Sequence, residues 1–182
     1  MKININKFKN PITFKSLSSN KISYSLKKKI LLLKMQHYKY SYSKQSMWFN
    51  KNIKSYDLHN IILIKNKLVG YTCLRVKKYF NFKNKKKKNL IFDTCIVDIN
   101  YRGLGIGSKL MKYNNKIINK KKIPAFLLCK KKLLNFYEKF KWKKLYKKNV
   151  NFADHNTKGL NIMAKNFYKK NKHSIKIYLT NN

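Results

Sequence analysis

The 182-residue chain is 43% apolar and 14% aromatic, enough to fill a core without disulfides or metal, which excludes an intrinsically disordered polypeptide. Forty-five Lys and Arg against five Asp and Glu leave a formal charge of +40, nearly all of it lysine spread along the chain rather than massed in one block. Abundant Asn, Ile, Tyr and Phe beside scarce Arg, Gly, Pro and Ala fit A+T-rich codons, so the lysines read first as a solvated surface and second as a polyanion-binding face.

Cys73, Cys95 and Cys129 lie in apolar runs without C-x-x-C spacing, and the histidines do not cluster, which speaks against a disulfide framework and a metal site. The opening MKININKFKN has no apolar signal core, and the longest aliphatic run, Ile30 to Leu33, is too short to cross a bilayer. Buried thiols, a cytoplasmic location and no membrane span are expected.

Residues 12–18, ITFKSLS, alternate as a strand, and Ser19 or Asn20 can cap a helix carrying Ile22, Leu26, Ile30 and Leu33 on one face. A second helix is centred on Gln45, Trp48, Phe49 and Ile53. The runs 59–64 and 68–76 then form an antiparallel hairpin through Lys65-Asn66-Lys67. The tract KNKKKK at 83–88 is a loop before a strand at 89–97, NLIFDTCIV.

Next comes DINYRGLGIGSKLM (98–111), which holds three of the five glycines and one of the two arginines. A helix follows with Leu110, Met111, Ile117 and Ile118 on one face and Lys120 to Lys122 at its negative end. Pro124 opens the strand AFLLC (125–129). Leu133, Phe136, Tyr137 and Phe140 mark another amphipathic helix, and further strands are expected near 145–152 and 174–179. No repeat and no linker divides the chain, so 1–182 reads as one domain with a core at 12–150 and a C-terminal strand region at 151–182.

A glycine-rich turn from strand to helix gathers backbone amides at the positive end of the helix dipole, lets a phosphate approach without meeting Cβ atoms, and here adds Arg102. The guest this suits is a pyrophosphate. The spacing fits neither the P-loop nor G-x-G-x-x-G. It fits R-x-x-G-x-G, and with CIVDINY before it and NFYEKFKW after it resembles the acyl-coenzyme A loop of the GNAT acetyltransferase superfamily. The elements also follow that family's order.

The resemblance implies an α/β (α+β) GNAT fold: one mixed, mostly antiparallel sheet of about six to seven strands flanked by helices and splayed between strands 89–97 and 125–129. It implies an N-acetyltransferase using acetyl-CoA. Main-chain groups of Ile96 and Val97 would hold the pantetheine arm, and Arg102, Gly103, Leu104, Gly105, Ile106, Gly107 and Ser108 the pyrophosphate. Tyr137 matches a tyrosine that protonates the departing sulfur; packing beside Phe136 and Phe140 is its other reading. Asp93 matches an acid that takes the amine's proton, equally readable as a carboxylate paired with a lysine or hydroxyl.

Two positions depart from the family: Lys130 stands where an Asn is common, and Lys141 where a Gly is common. The acceptor is expected to be a small-molecule primary amine. QHYKYSYSKQSMWFNKNI resembles GNAT-like proteins of surface-polysaccharide biosynthesis, which favours an aminosugar or sugar nucleotide, with Trp48, Tyr38, Tyr40, Tyr42 and His59 as substrate-binding candidates; His37 and His155 are weaker ones. A basic nucleic-acid or ribosome-associated protein, or a domain that binds acyl-CoA without transferring it, are the competing readings. The diffuse lysines and the lack of an RNA-binding motif count against nucleic acid.

Overall fold

The computed structural model describes residues 11–80, 85–146, 150–152, 156–167 and 175–177. Strand β1 (Ile12–Ser18) pairs antiparallel with β2 (Leu58–Ile64), Ile12 opposite Ile64 and Ser18 opposite Leu58. The chain turns from β2 into β3 (Lys67–Phe80) through Lys65 and Asn66, whose φ of 48° and 60° belong to a two-residue type I′ hairpin turn. Lys67, expected in the connection, is already strand.

Helix α1 (Tyr24–Met35) starts on Ser23, whose hydroxyl accepts the Leu26 N–H, and α2 (Tyr42–Asn52) on Ser41, which accepts from Lys44. Ser19 and Asn20 are therefore not the caps: they form a separate 3-10 turn with Lys21. The Ser19 hydroxyl is spent instead on the His59 ring and the Asp57 carbonyl.

Strand β4 (Lys86–Val97) begins inside the lysine tract, three residues ahead of expectation. Helix α3 (Ile106–Lys121) ends on Lys120 and Lys121, cations suited to its negative pole. Strand β5 (Ala125–Cys129) runs parallel to β4, with Leu90 opposite Ala125 and Ile91 opposite Phe126. Helix α4 is only Leu134–Glu138, after a 3-10 turn at Lys131–Leu133; it is shorter than the apolar spacing implied, and Leu133 is exposed.

The remaining strands are β6 (Lys143–Leu145), β7 (Val150–Phe152), β8 (Asn161–Lys165) and β9 (Ile175–Ile177). Hydrogen bonding orders the sheet β1-β2-β3-β4-β5-β8-β6, with β9 pairing β3 and β7. The described residues thus hold nine strands rather than six or seven. The sheet is mixed and mostly antiparallel, β4–β5 and β7–β9 being parallel.

Two compact units divide the chain, Met1–Cys73 with Thr94–Tyr113, and Leu74–Asp93 with Asn114–Asn182. In the first, Ile30, Leu31 and Leu33 of α1 pack with Phe49 of α2, Ile61 of β2 and Leu68, Tyr71 and Cys73 of β3. Its second cluster joins Ile62, Ile64 and Val69 to Ile106 and Leu110 of α3. Gly70 permits that approach: a Cβ there would stand 3.0 Å from Leu110 Cδ1 and 3.1 Å from Ile106 Cγ2. The second unit is built on Tyr79, Ile91, Phe126, Ile162 and Ile177. Each such fully buried aliphatic side chain contributes about 1.5–3 kcal/mol.

Candidate functional site

In the first unit the end of β4 and the start of α3 carry the glycine segment. Thr94 takes φ 59° inside the strand, a conformation that a β-branched residue adopts only under constraint. The pleat is interrupted there, so strict strand alternation does not run through Thr94. Ile96 is buried, and Val97 packs on the Ile62–Val69–Ile106 cluster. The Asp98 N–H donates to the Val69 carbonyl at 2.9 Å. Its carboxylate accepts from the Asn100 N–H at 3.0 Å and meets Lys67 Nζ at 3.5 Å.

After a 3-10 turn at Ile99–Tyr101 and exposed Arg102, Gly103 and Gly105 take φ of 75° and 77°. A Cβ on either would meet nothing within 4 Å, so the backbone conformation, and not space, calls for glycine. The Lys109 N–H closes the first helical bond on the Gly105 carbonyl at 3.0 Å. The amides of Ile106, Gly107 and Ser108 precede that bond and have no acceptor within the helix. With Leu104 exposed, residues 104–108 present an amide-lined positive helix end that suits a phosphate.

Two side chains just past α1 reach this segment: His37, only a weak candidate in the sequence, and Gln36, which nothing there singled out. Gln36 Oε1 accepts the Ile99 N–H at 3.0 Å, and His37 Nε2–H donates to the Val97 carbonyl at 2.9 Å. Arg102 Nη2 stands 3.2 Å from both ring nitrogens of His37, over the C–H that joins them. Partial burial holds His37 below the ordinary histidine value; its bond to Val97 works the other way, and the Arg102 charge adds to the fall. These contacts link positions 60 or more apart in sequence, and no local pattern signals them.

In the second unit, Asp93 is bound by Arg75, Nη1 to Oδ2 at 3.0 Å. Tyr137 is buried among Phe92, Phe136 and Trp142, at ring separations of 6.2, 5.2 and 6.5 Å. Trp142 Nε1–H donates to Asn115 Oδ1 at 3.1 Å, and Asn115 Nδ2–H donates to the Phe140 carbonyl at 2.8 Å, which fixes the NFYEKFKW segment. Lys141, the position where the resemblance leads one to expect glycine, carries φ 63°, a left-handed geometry that favours glycine. Lys130, the other departure, is exposed ahead of the 3-10 turn.

His59 is fully buried, Nε2 facing Ser19 Oγ and Nδ1 facing the Tyr71 hydroxyl, each at 2.8 Å, between the rings of Phe49 and Tyr71. Burial, with the Lys34 charge, lowers it to about 4. Trp48 is half-buried under Lys34 Nζ at 4.3 Å, Tyr42 packs against the core, and Tyr38 and Tyr40 are exposed. His155 lies outside the described residues. Burial pushes the Cys95 thiol up to about 12 and the Cys129 thiol upward as well, with Glu138 adding to the latter. Among the described residues no three His, Cys, Asp or Glu could hold a metal, and no helix is long and apolar enough to cross a membrane.

Residues 57–149 match the family model described as the acetyltransferase (GNAT) domain. No curated protein matches the chain. Among solved structures, Escherichia coli ElaA aligns with a TM-score of 0.63 at 16% identity, over 85% of this chain and 99% of its own. Arabidopsis thaliana Naa50, bound to the bisubstrate analogue CoA-Ac-MVNAL, aligns at 0.59 and 16%, over 86% and 99%. Bacillus subtilis YlbP, an N-acetyltransferase in complex with coenzyme A, aligns at 0.53 and 17%, over 85% and 96%. At these identities the likeness is one of fold, and it lends no support to a link with polysaccharide synthesis.

Proposed function

The chain belongs to the GNAT acetyltransferase domain family, and on that premise we propose that it moves an acetyl group from acetyl-CoA to the primary amine of a small molecule by direct transfer, as one acetyltransferase domain spanning 1–182. One observation carries the reading. Left-handed Gly103 and Gly105 deliver the chain to an amide-lined start of α3, beside Arg102 and within the family match. The Ile106, Gly107 and Ser108 amides with Arg102 and the Gly103–Gly105 turn would hold the diphosphate, and the main chain at Ile96 and Val97 the pantetheine arm.

In the transfer, the neutral amine's lone pair forms the C–N bond as the thioester C–S bond breaks; the amine sheds a proton and the departing thiolate gains one. Asp93 is assigned the first proton and the Tyr137 phenol the second. Direct transfer is favoured over an acyl-cysteine route, because Cys95 and Cys129 are held well toward the thiol form and a thiolate is what attacks. Free cysteines of this kind suit a reducing, cytoplasmic setting.

An aminosugar or sugar nucleotide is the first acceptor to try, supported by exposed Tyr38 and Tyr40 as stacking surfaces and by a basic surface that favours phosphates. The test is calorimetry with acetyl-CoA at elevated salt, with ATP as control, followed by an amine screen that reads release of the coenzyme A thiol. Saturable, salt-resistant binding selective for acetyl-CoA is expected. Binding equal to that of ATP and lost in salt would overturn the reading in favour of a general polyanion surface; selective binding without turnover on any amine would leave only a non-transferring acyl-CoA binder.

A further inference from the structure

We propose that His37 is a positioning residue of the acyl-CoA site, fixing the Val97 carbonyl with one edge of its ring and the Arg102 guanidinium with its face; this rests on the acyl-CoA reading above. The Asp98 N–H points to Val69 of β3. Neighbouring residues of a strand direct their main-chain groups to opposite sides, so the Val97 N–H and carbonyl point away from β3. That is the direction in which a pantetheine arm would pair with them, and His37 Nε2–H meets the carbonyl there at 2.9 Å.

The same ring lies under Arg102 Nη2. One side chain thereby touches both ends of the 97–102 segment, while its neighbour Gln36 holds the Ile99 N–H in between. Two consecutive residues at the end of α1 thus brace the run that leads into the glycine turn. A guanidinium resting on a ring starts with fewer conformations to lose when it engages a diphosphate, which raises affinity without adding a contact.

Among the described residues, the charged side chain against the His37 ring is Arg102. Asp98 turns toward Lys67 and the Asn100 amide, and Lys34, one turn back along α1, sits over Trp48. The bond from Nε2–H to Val97 is compatible with both charge states of the ring, whereas protonation places a second cation beside the phosphate-facing segment. The positioning role therefore carries its own pH signature.

The experiment measures acetyl-CoA affinity at elevated salt, and steady-state kinetics, for the full chain and for His37→Ala and His37→Gln. His37→Ala is expected to raise Kd about ten-fold while kcat at saturating acetyl-CoA stays within about two-fold, the mark of lost uniform binding. His37→Gln, whose amide can still donate to the Val97 carbonyl, is expected to recover most of the affinity. The ratio of wild-type to His37→Gln affinity is expected to rise as the pH falls through the His37 titration. An unchanged Kd in folded His37→Ala, or a His37→Gln no better than His37→Ala, overturns the proposal. Should His37→Ala fail to fold, His37→Gln and its pH-dependent ratio decide, and a flat ratio overturns it. A wild-type chain that does not bind acetyl-CoA selectively removes the acyl-CoA reading itself, and the role of His37 with it.

Discussion

Arg75 and Asp93 form an ion pair of 3.0 Å in which the arginine side chain is 5% exposed and the aspartate 25%. Removing the carboxylate strands a buried guanidinium without its anion, a cost larger than the net value of the pair. Asp93→Asn is therefore expected to lose about 2–3 kcal/mol, the partial exposure of Asp93 keeping the loss below that of a fully buried pair, as read from urea unfolding. As the proposed base, the same variant is expected to lose at least about ten-fold in kcat under conditions where it remains folded. Wild-type turnover with lowered stability would assign Asp93 to the ion pair alone.

Tyr137→Phe keeps the ring among Phe92, Phe136 and Trp142 and deletes only the hydroxyl. Turnover is expected to fall about 10- to 1000-fold with little change in acetyl-CoA affinity. The fall should shrink for acyl donors whose thiols leave readily without a proton. Equal losses across donors would place Tyr137 in packing.

Stability is expected to decline with acid through His59. Unfolded, this histidine titrates near 6.5; folded, burial holds it at about 4. Between those values the unfolded chain takes up a proton that the folded chain refuses, so the contribution is complete above about pH 6.5 and is lost as the pH falls toward 4, by about 3 kcal/mol in all. His37 titrates low as well and adds in the same direction. Urea midpoints across this window should flatten in His59→Gln by the His59 share, and an equally steep decline in that variant would refute the assignment.

Lys141 sits at φ 63°, where a Cβ is costly and glycine is not. Its N–H donates to the Glu138 carbonyl at 2.8 Å, a bond that glycine retains. Lys141→Gly is expected to stabilise the protein by about 1 kcal/mol, visible as a higher urea midpoint, with acetyl-CoA affinity unchanged. A destabilised variant would mean that the lysine side chain holds the turn.

Legibility in the sequence followed the range of the forces involved. The β2–β3 turn, β5 and the glycine segment were readable because alternation, left-handed turn residues and Pro124 act within a few positions. Strand β8 was missed: in NIMAK four of five residues are buried, so no polar alternation marks it. Helix α4 was overdrawn, because the spacing of Leu133, Phe136, Tyr137 and Phe140 runs from a 3-10 turn through a short helix into the turn that follows it. The caps of α1 shifted to Ser23 because Ser19 had a buried histidine to satisfy. The partner of Asp93, the contacts of His37 and the enclosure of His59 depend on chain segments brought together by the sheet, and tertiary proximity of that kind leaves no local trace.

Gly70 gives the glycine turn before α3 a control point remote from it in sequence. Its missing methyl group leaves the clearance into which Ile106 and Leu110 settle. An alanine there would force those side-chain ends to yield by a few tenths of an ångström, and Ile106 is both the first residue of α3 and one of the three amides that precede its first bond. The seating depth of the helix, and with it the aim of those amides, is thus calibrated by one hydrogen atom in a central strand. On the proposed function, acyl-donor affinity is open to change through this residue with every group proposed to bind the donor left as it is.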